Sequence, residues 1–214
     1  SLSEDGNVIE ASSDTENIEE TVAGVLEEAD PVSPLAREAR ANKTVVICAG
    51  HDATHTGASG NGLKEEELTF KVAQYCKQAL EQYQGVTVYM DRDSISCKYP
   101  GQNTSYCLNQ RIKDAAALGA TVFVDIHFNT GGGTGAEVYY PNKSYNEGIH
   151  QEGQNLANKI LSELSALGLR NRGAKIKDGT TGETDPNGNK DDYFTTNYLS
   201  KQYGMTGVIV EHAF

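Results

Sequence analysis

Val45-Val46-Ile47-Cys48-Ala49-Gly50-His51 is followed after a short gap by a glycine-rich run, Gly57-Ala58-Ser59-Gly60-Asn61-Gly62-Leu63-Lys64-Glu65. The first stretch is an unbroken apolar run led by two β-branched residues, the pattern of a buried strand. It stops at Gly50, and a histidine comes next. The glycines then lead through a loop into the acidic triplet Glu65-Glu66-Glu67 and a helix. In an open α/β sheet, ligands sit beyond the carboxyl ends of the strands. A histidine at a strand end and a glutamate at the start of the next helix are therefore placed to meet.

The rest of the chain repeats this alternation. Leu68, Val72, Cys76, Ala79 and Tyr83 mark one face of a helix from about Glu66 to Gln82. The acids at its start complement the helix dipole, which by itself accounts for them. Val86–Met90 reads as a second strand. Leu108, Ile112, Ala115, Ala116 and Leu118 predict another helix, closed by Gly119. Thr121–Ile126 is a strongly apolar strand ending in His127. Beyond Gly131-Gly132-Gly133 come a strand over Ala136–Tyr140, a helix from about Glu147 to Leu167 and a short extended piece at Ala174–Ile176. Residues 178–192 read as a long exposed loop, Asn197–Tyr203 as a helix, and Gly207–Val210 as a last strand ending in Glu211. Alternating strands and helices predict an α/β fold. The expected architecture is a largely parallel twisted sheet of about five to six strands flanked by helices, phosphorylase/hydrolase-like.

Composition bounds the function. The 214 residues carry a formal charge of −12, which argues against a nucleic-acid partner. Up to Asn42 there are 11 Asp and Glu against Arg37 and Arg40, a net of −9, which leaves −3 for the remainder. Residues 1–42 thus form an acidic N-terminal segment apart from a nearly neutral domain over 43–214. Its composition is that of a solvated linker. Ile18, Val22, Val25 and Leu26 recur at helical spacing, so a docked amphipathic helix is the other reading. No apolar run approaches the roughly 20 residues of a membrane span. A chain that opens on Ser1 without a signal peptide is expected to be a mature or trimmed form. Of the four cysteines, Cys48 and Cys76 fall on apolar faces, whereas Cys97 and Cys107 flank a polar loop. A disulfide there, suited to a secreted protein, and a pair of reduced thiols both fit.

Three apolar strands end in His51, His127 and Glu211, and one of Glu65–Glu67 heads the helix after the first. Two imidazoles and a carboxylate are the ligand set of a catalytic zinc. Such a metal lowers the pKa of a bound water to about 7 and polarises a carbonyl. A further carboxylate can move the proton to a leaving nitrogen. The helix-borne H-E-x-x-H signature is absent. His55, four residues after His51, lies in a loop and would form a ligand pair with it only on a helix.

From about Thr44 to Phe214 the chain resembles the zinc-dependent N-acetylmuramoyl-L-alanine amidases of the amidase-3 family. That family's first block, D-x-G-H-G-G-x-D-x-G-A-x-G-x-x-G-x-x-E-K-D-L-T-L, stands here as Cys48 to Phe70. Its S-I-H-x-N is Asp125-Ile126-His127-Phe128-Asn129, and its G-x-E-x-Y-Y is Gly135 to Tyr140. Arg92, Arg111 and Arg172-Gly173 match further family positions, and Val208-Ile209-Val210-Glu211-His212-Ala213-Phe214 matches the last block. The family's Asp two before Gly-His is Cys48 here, its second Gly is Asp52 and its Ser before I-H is Asp125. An Asp in such a place either orients a metal-bound histidine or is merely solvated. The family usually continues past its last strand into another helix, whereas this sequence stops three residues after Glu211, so either a further C-terminal piece or a trimmed enzyme is expected.

The resemblance implies Zn2+ held by His51, Glu65 and His127, with Glu66 as the alternative within the triplet, and Glu211 as the catalytic base. Asn129 is expected either to donate to substrate or to cap the strand end. The implied partner is peptidoglycan, cut by a monomeric enzyme secreted to the bacterial cell wall or envelope. The acidic segment is then a linker to an export signal or wall anchor, or an element that covers the cleft. Two rivals are a zinc carboxypeptidase acting on wall peptides and a non-catalytic wall-binding module. The first wants H-x-x-E, which His51-Asp52-Ala53-Thr54 lacks. The second would show loss of a ligand or of the base, and all four residues are present.

Overall fold

The computed structural model describes residues 42–131, 133–180 and 184–213. The amphipathic stretch around Ile18–Leu26 lies outside them. In chain order the elements are β1 (Lys43–Ala49), β2 (Ser59–Gly60), β3 (Leu63–Lys64), α1 (Glu65–Leu80), β4 (Val86–Met90) and α2 (Thr104–Ala117). Then follow β5 (Val122–His127), β6 (Ala136–Tyr139), α3 (Glu147–Ala166), β7 (Asn171–Lys175), α4 (Thr195–Gln202) and β8 (Thr206–Glu211). Six strands form one sheet in the order β4-β1-β5-β8-β6-β7. The first four are mutually parallel, β6 runs antiparallel to β8, and β7 is parallel to β6. The α/β sheet read from the sequence is present, largely parallel and flanked by helices.

Strand alternation sorts the core onto two faces. Val45, Ile47 and Ala49 of β1 pack with Val88 and Ile126 against Ala73 and Phe70 of α1. On the same face, Val138, Val208 and Val210 pack against Ala157 and Leu161 of α3. Val46, Cys48 and Phe123 point the other way, toward Ile112 and Ala115 of α2 and Leu199 of α4. Burial on both faces is why β1, β5 and β8 read as continuous apolar runs. Gly207 lets α4 approach β8, since a Cβ there would lie 2.6 Å from the Thr196 carbonyl oxygen.

Three local expectations are corrected. The glycine-rich run is not only loop: Ser59–Gly60 and Leu63–Lys64 pair antiparallel. Asn61 (φ 50°) and Gly62 (φ 78°) form the turn, and Asn-Gly is the pair that tolerates two successive left-handed residues. The strand expected at Ala174–Ile176 starts earlier, at Asn171, so Arg172-Gly173 belongs to it. Residues 178–192 are not all exposed. Asp185 and Asp192 are buried, and Asp192 bonds Lys201 Nζ at 2.6 Å inside a cage completed by Asn142 and Ser144. A polar composition concealed this burial because its partners come from distant parts of the chain.

Candidate metal centre and active site

The parallel strands deliver their carboxyl ends to one edge of the sheet. His51 follows β1, His127 is the last residue of β5, and Glu211 is the last residue of β8. His127 and Glu211 are register partners. Glu65 is the first residue of α1, a helix with no side-chain N-cap and three acids in its first turn. The dipole argument and the ligand argument therefore hold together. Glu66 is buried too, but it accepts the Gly57 N–H at 3.3 Å and leaves the histidines to Glu65.

Glu65 Oε1 lies 3.1 Å from His127 Nδ1 and 3.4 Å from His51 Nε2. One donor atom from each of the three residues falls within 4.8 Å of the other two. Two glycines make room for this. A Cβ on Gly57 would lie 2.4 Å from Glu65 Oε2, and one on Gly50 would lie 2.5 Å from His127 Cε1. His51 itself takes φ 62°, an uncommon conformation for a residue with a side chain and one that clusters at functional sites.

Each ligand candidate is held from behind. The Ala58 and Phe128 N–H groups donate to Glu65 at 2.8 and 3.0 Å. Burial works to raise the Glu65 pKa, but hydrogen bonds from His127, His51 and these amides outweigh it and hold the carboxyl well below the usual range. His127 Nε2 lies 3.2 Å from Asp125 Oδ1, and Thr196 donates to Asp125 Oδ2 at 2.6 Å. Burial opposes charging of His127, yet Asp125 and Glu65 push its pKa up to about 10. His51 Nδ1 lies 3.2 Å from the His55 carbonyl. The three carboxylates Glu65, Asp125 and Glu211 around two imidazoles thus call for positive charge. A divalent cation among these nitrogen and oxygen donors supplies it and releases the proton, so the donor set fits zinc.

Asp52 and Asp125 are both buried, so neither is the solvated Asp of the alternative reading. Asp125 meets a candidate ligand directly. Asp52 instead accepts from the Thr54 and His55 amides at 2.8 Å and pairs with Arg111 Nη2 at 2.6 Å. It shapes the 51–55 turn and reaches His51 only through it. Asp91, which sequence reading passed over, takes the place beside Cys48. It accepts the Ala49 N–H at 3.1 Å, lies 3.4 Å from Cys48 Sγ and pairs with Arg111. Arg92 donates to the Ala49 carbonyl. Only its position beside the family's arginine signalled Asp91.

Glu211 is partly buried, and its Oε2 finds no hydrogen-bond partner among the described residues. Burial first, then the neighbouring carboxylates, push its pKa up to about 7, against the pull of His127. On its other side it is in register with Glu137, which binds Arg172 Nε at 2.8 Å and Lys175 Nζ at 2.5 Å. Asn129 donates to Glu137 Oε1 at 3.3 Å and accepts the Thr130 N–H at 2.9 Å, so its side chain is tied into the rim. It also lines a cleft of about 410 Å3 with Ala58, Leu63, Leu68 and Phe128, next to Glu65.

Residues 45–214 match the family model described as N-acetylmuramoyl-L-alanine amidase. The chain belongs to the N-acetylmuramoyl-L-alanine amidase family. It is 34% identical over 138 residues to the amidase CwlM of Bacillus licheniformis, covering 61% of this chain and 47% of that one. It is 36% identical over 115 residues to the sporulation-specific amidase of Bacillus subtilis, covering 50% and 42%. The chain thus spans about half the length of the curated relatives it matches. Among solved structures, Cwp6 from Clostridium difficile aligns with a TM-score of 0.62 at 28% identity, covering 86% of this chain and 26% of that one. The CwlD amidase of Clostridioides difficile aligns at 0.60 and 23% identity, over 81% and 83%, a likeness of fold. The amidase match begins at the first strand and leaves the acidic segment outside it.

Proposed function

We propose that residues 43–214 form a zinc-dependent amidase of peptidoglycan. The bond cut joins the lactyl carbonyl of N-acetylmuramic acid to the amino group of the stem peptide's L-alanine. The observation that carries this reading is the meeting of His51, Glu65 and His127 donors within 4.8 Å, beside Glu211, whose Oε2 has no hydrogen-bond partner among the described residues, in a chain of this family.

In this reading His51, Glu65 and His127 hold the zinc, and Glu211 acts on protons. When bound there, zinc supplies Lewis-acid polarisation of the scissile carbonyl and lowers the pKa of water. Glu211 takes the proton from the attacking water on its unpartnered oxygen and gives it to the leaving nitrogen. A carboxyl with a pKa near neutrality suits both halves of that transfer. Asp125 holds the ring of His127, and the His55 carbonyl holds that of His51. The Asn129 amide, already bonded to Glu137, positions the rim and donates to substrate on exchange of that bond. The enzyme works outside the membrane, in the wall, as a monomer. The acidic segment over 1–42 serves as a linker.

The test is a digest of purified peptidoglycan, with and without a chelator, read by mass spectrometry. Free stem peptides beginning with L-alanine are expected, lost with chelator and restored by zinc. Release of a C-terminal amino acid instead would establish a carboxypeptidase. No product and no bound zinc, also from a chain starting at Lys43, would leave a wall-binding module.

A further inference from the structure

Cys97 and Cys107 lie outside the metal centre, yet the contacts that start from them end on His51. Their Sγ atoms are 3.7 Å apart. The loop between them is tied down at both ends: Lys98 and Tyr99 bond Asp114 of α2, and Asn103 caps that helix through the Tyr106 N–H at 2.8 Å. The loop in turn holds the 51–55 turn. The Ile95 carbonyl accepts the Ala53 N–H at 2.9 Å, and the Gln102 carbonyl lies 2.9 Å from His55 Nε2. His55 then presents its own carbonyl to His51 Nδ1. Cys107 also lines a cavity of about 80 Å3 that His51 and His127 share.

We propose that Cys97 and Cys107 form a disulfide that locks the 95–103 loop to the first turn of α2, against the 51–55 turn, and thereby fixes the His51 ring. The sulfurs, already in contact at 3.7 Å, need to approach by about 1.7 Å to reach bonding distance. Cys97 is the more exposed of the two, and burial with the contact to Cys97 pushes the Cys107 thiol up to about 11. Cys97 therefore attacks first. As thiolate it displaces one thiol from a small disulfide such as oxidised glutathione, and Cys107, on losing its proton, displaces the second. One Sγ–Sγ bond forms, and two electrons and two protons leave on two reduced thiols. His55 brings a nitrogen within 4.8 Å of both sulfurs, which makes a soft-metal site the competing outcome. Its Nδ1 faces Asp52 at 3.2 Å and its Nε2 faces the Gln102 carbonyl, so the sulfurs are left to each other.

The experiment uses the full chain equilibrated with oxidised or reduced glutathione, alkylated under denaturing conditions and mapped by mass spectrometry. Four alkylated thiols are expected in the reduced form and two, Cys48 and Cys76, in the oxidised form, with a Cys97–Cys107 cross-linked peptide. The melting temperature of the oxidised form should be higher by about 4 °C or more, a gain abolished in Cys97→Ser. Four thiols in both forms, a different cross-linked pair, or protection by a second equivalent of zinc would overturn the disulfide. This thiol count does not depend on the amidase reading. Transfer of zinc to a coloured chelator should be slower from the oxidised form. Equal rates with the disulfide formed would overturn the link to His51.

Discussion

At the residue scale, the site separates two carboxylates by their surroundings. Glu65 accepts hydrogen bonds from two imidazoles and two amides and stays ionised. Glu211 is partly buried, its Oε2 has no hydrogen-bond partner among the described residues, and its pKa rises to about 7. Environments that push two carboxyl groups apart assign them different work, a ligand and a proton carrier. Replacing Glu211 by Gln keeps the shape and removes the base. Turnover is expected to fall by about 10²–10⁴-fold, while zinc content, measured by mass spectrometry of the metal, stays at the wild-type level. Full activity in Glu211→Gln would remove this residue from the mechanism.

At the element scale, glycines set how closely β1, β5 and α1 approach. A Cβ on Gly50 would lie 2.4 Å from the Ile126 carbonyl oxygen, a backbone atom that cannot turn aside. Gly50→Ala should therefore destabilise the domain by about 1–3 kcal/mol, read by urea unfolding, and loosen zinc by displacing His127. Gly62, in the turn between β2 and β3, has nothing within 4 Å of such a Cβ and only its φ of +78° to protect. Gly62→Ala is expected to cost about 1 kcal/mol and to leave zinc bound. Equal effects of the two substitutions on zinc retention would show that close approach at Gly50 does not govern the centre.

At the scale of the whole molecule, buried ion networks tie distant segments to the sheet. Lys201 of α4 meets Asp192 at 2.6 Å and Asp191 at 3.1 Å, and its side chain is 2% exposed. Lys201→Ala leaves Asp192 buried without its cation and should cost about 3–5 kcal/mol in thermal or chemical unfolding. Glu137 joins β6 to β7 through Arg172 and Lys175. Burial raises its pKa, but Arg172, Lys175 and Tyr139 outweigh this and lower it below the ordinary 4.5. Its contribution to stability is therefore fully present above about pH 4.5 and is lost as the pH falls toward the lowered value. Melting temperatures between about pH 5 and 3 should fall less steeply in Glu137→Gln than in the wild type. An unchanged slope would place the acid sensitivity elsewhere.

Much of this protein is written locally. Apolar runs such as Val45–Ala49 and Thr121–Ile126 fix strands because burial on both faces excludes polar residues. Alternation with helices then fixes the parallel sheet and hence the edge where His51, His127 and Glu211 emerge. The family block already favoured Glu65, but periodicity could not separate it from Glu66, since the two differ only by the 100° between neighbours on a helix, and tertiary structure brought Glu65 to the histidines. It also decided that Asp91 stands beside Cys48, that Asp125 faces His127 while Asp52 faces Arg111, and that Lys201 is caged rather than solvated. Apart from Asp125 and His127, two residues apart on β5, these depend on partners distant in sequence, such as Arg111 for Asp52, Thr196 for Asp125 and Asn142 for Lys201, brought together by packing. Sequence pattern reports a residue's periodicity along its own element, whereas a buried charge is permitted only by the partner that the fold places opposite it.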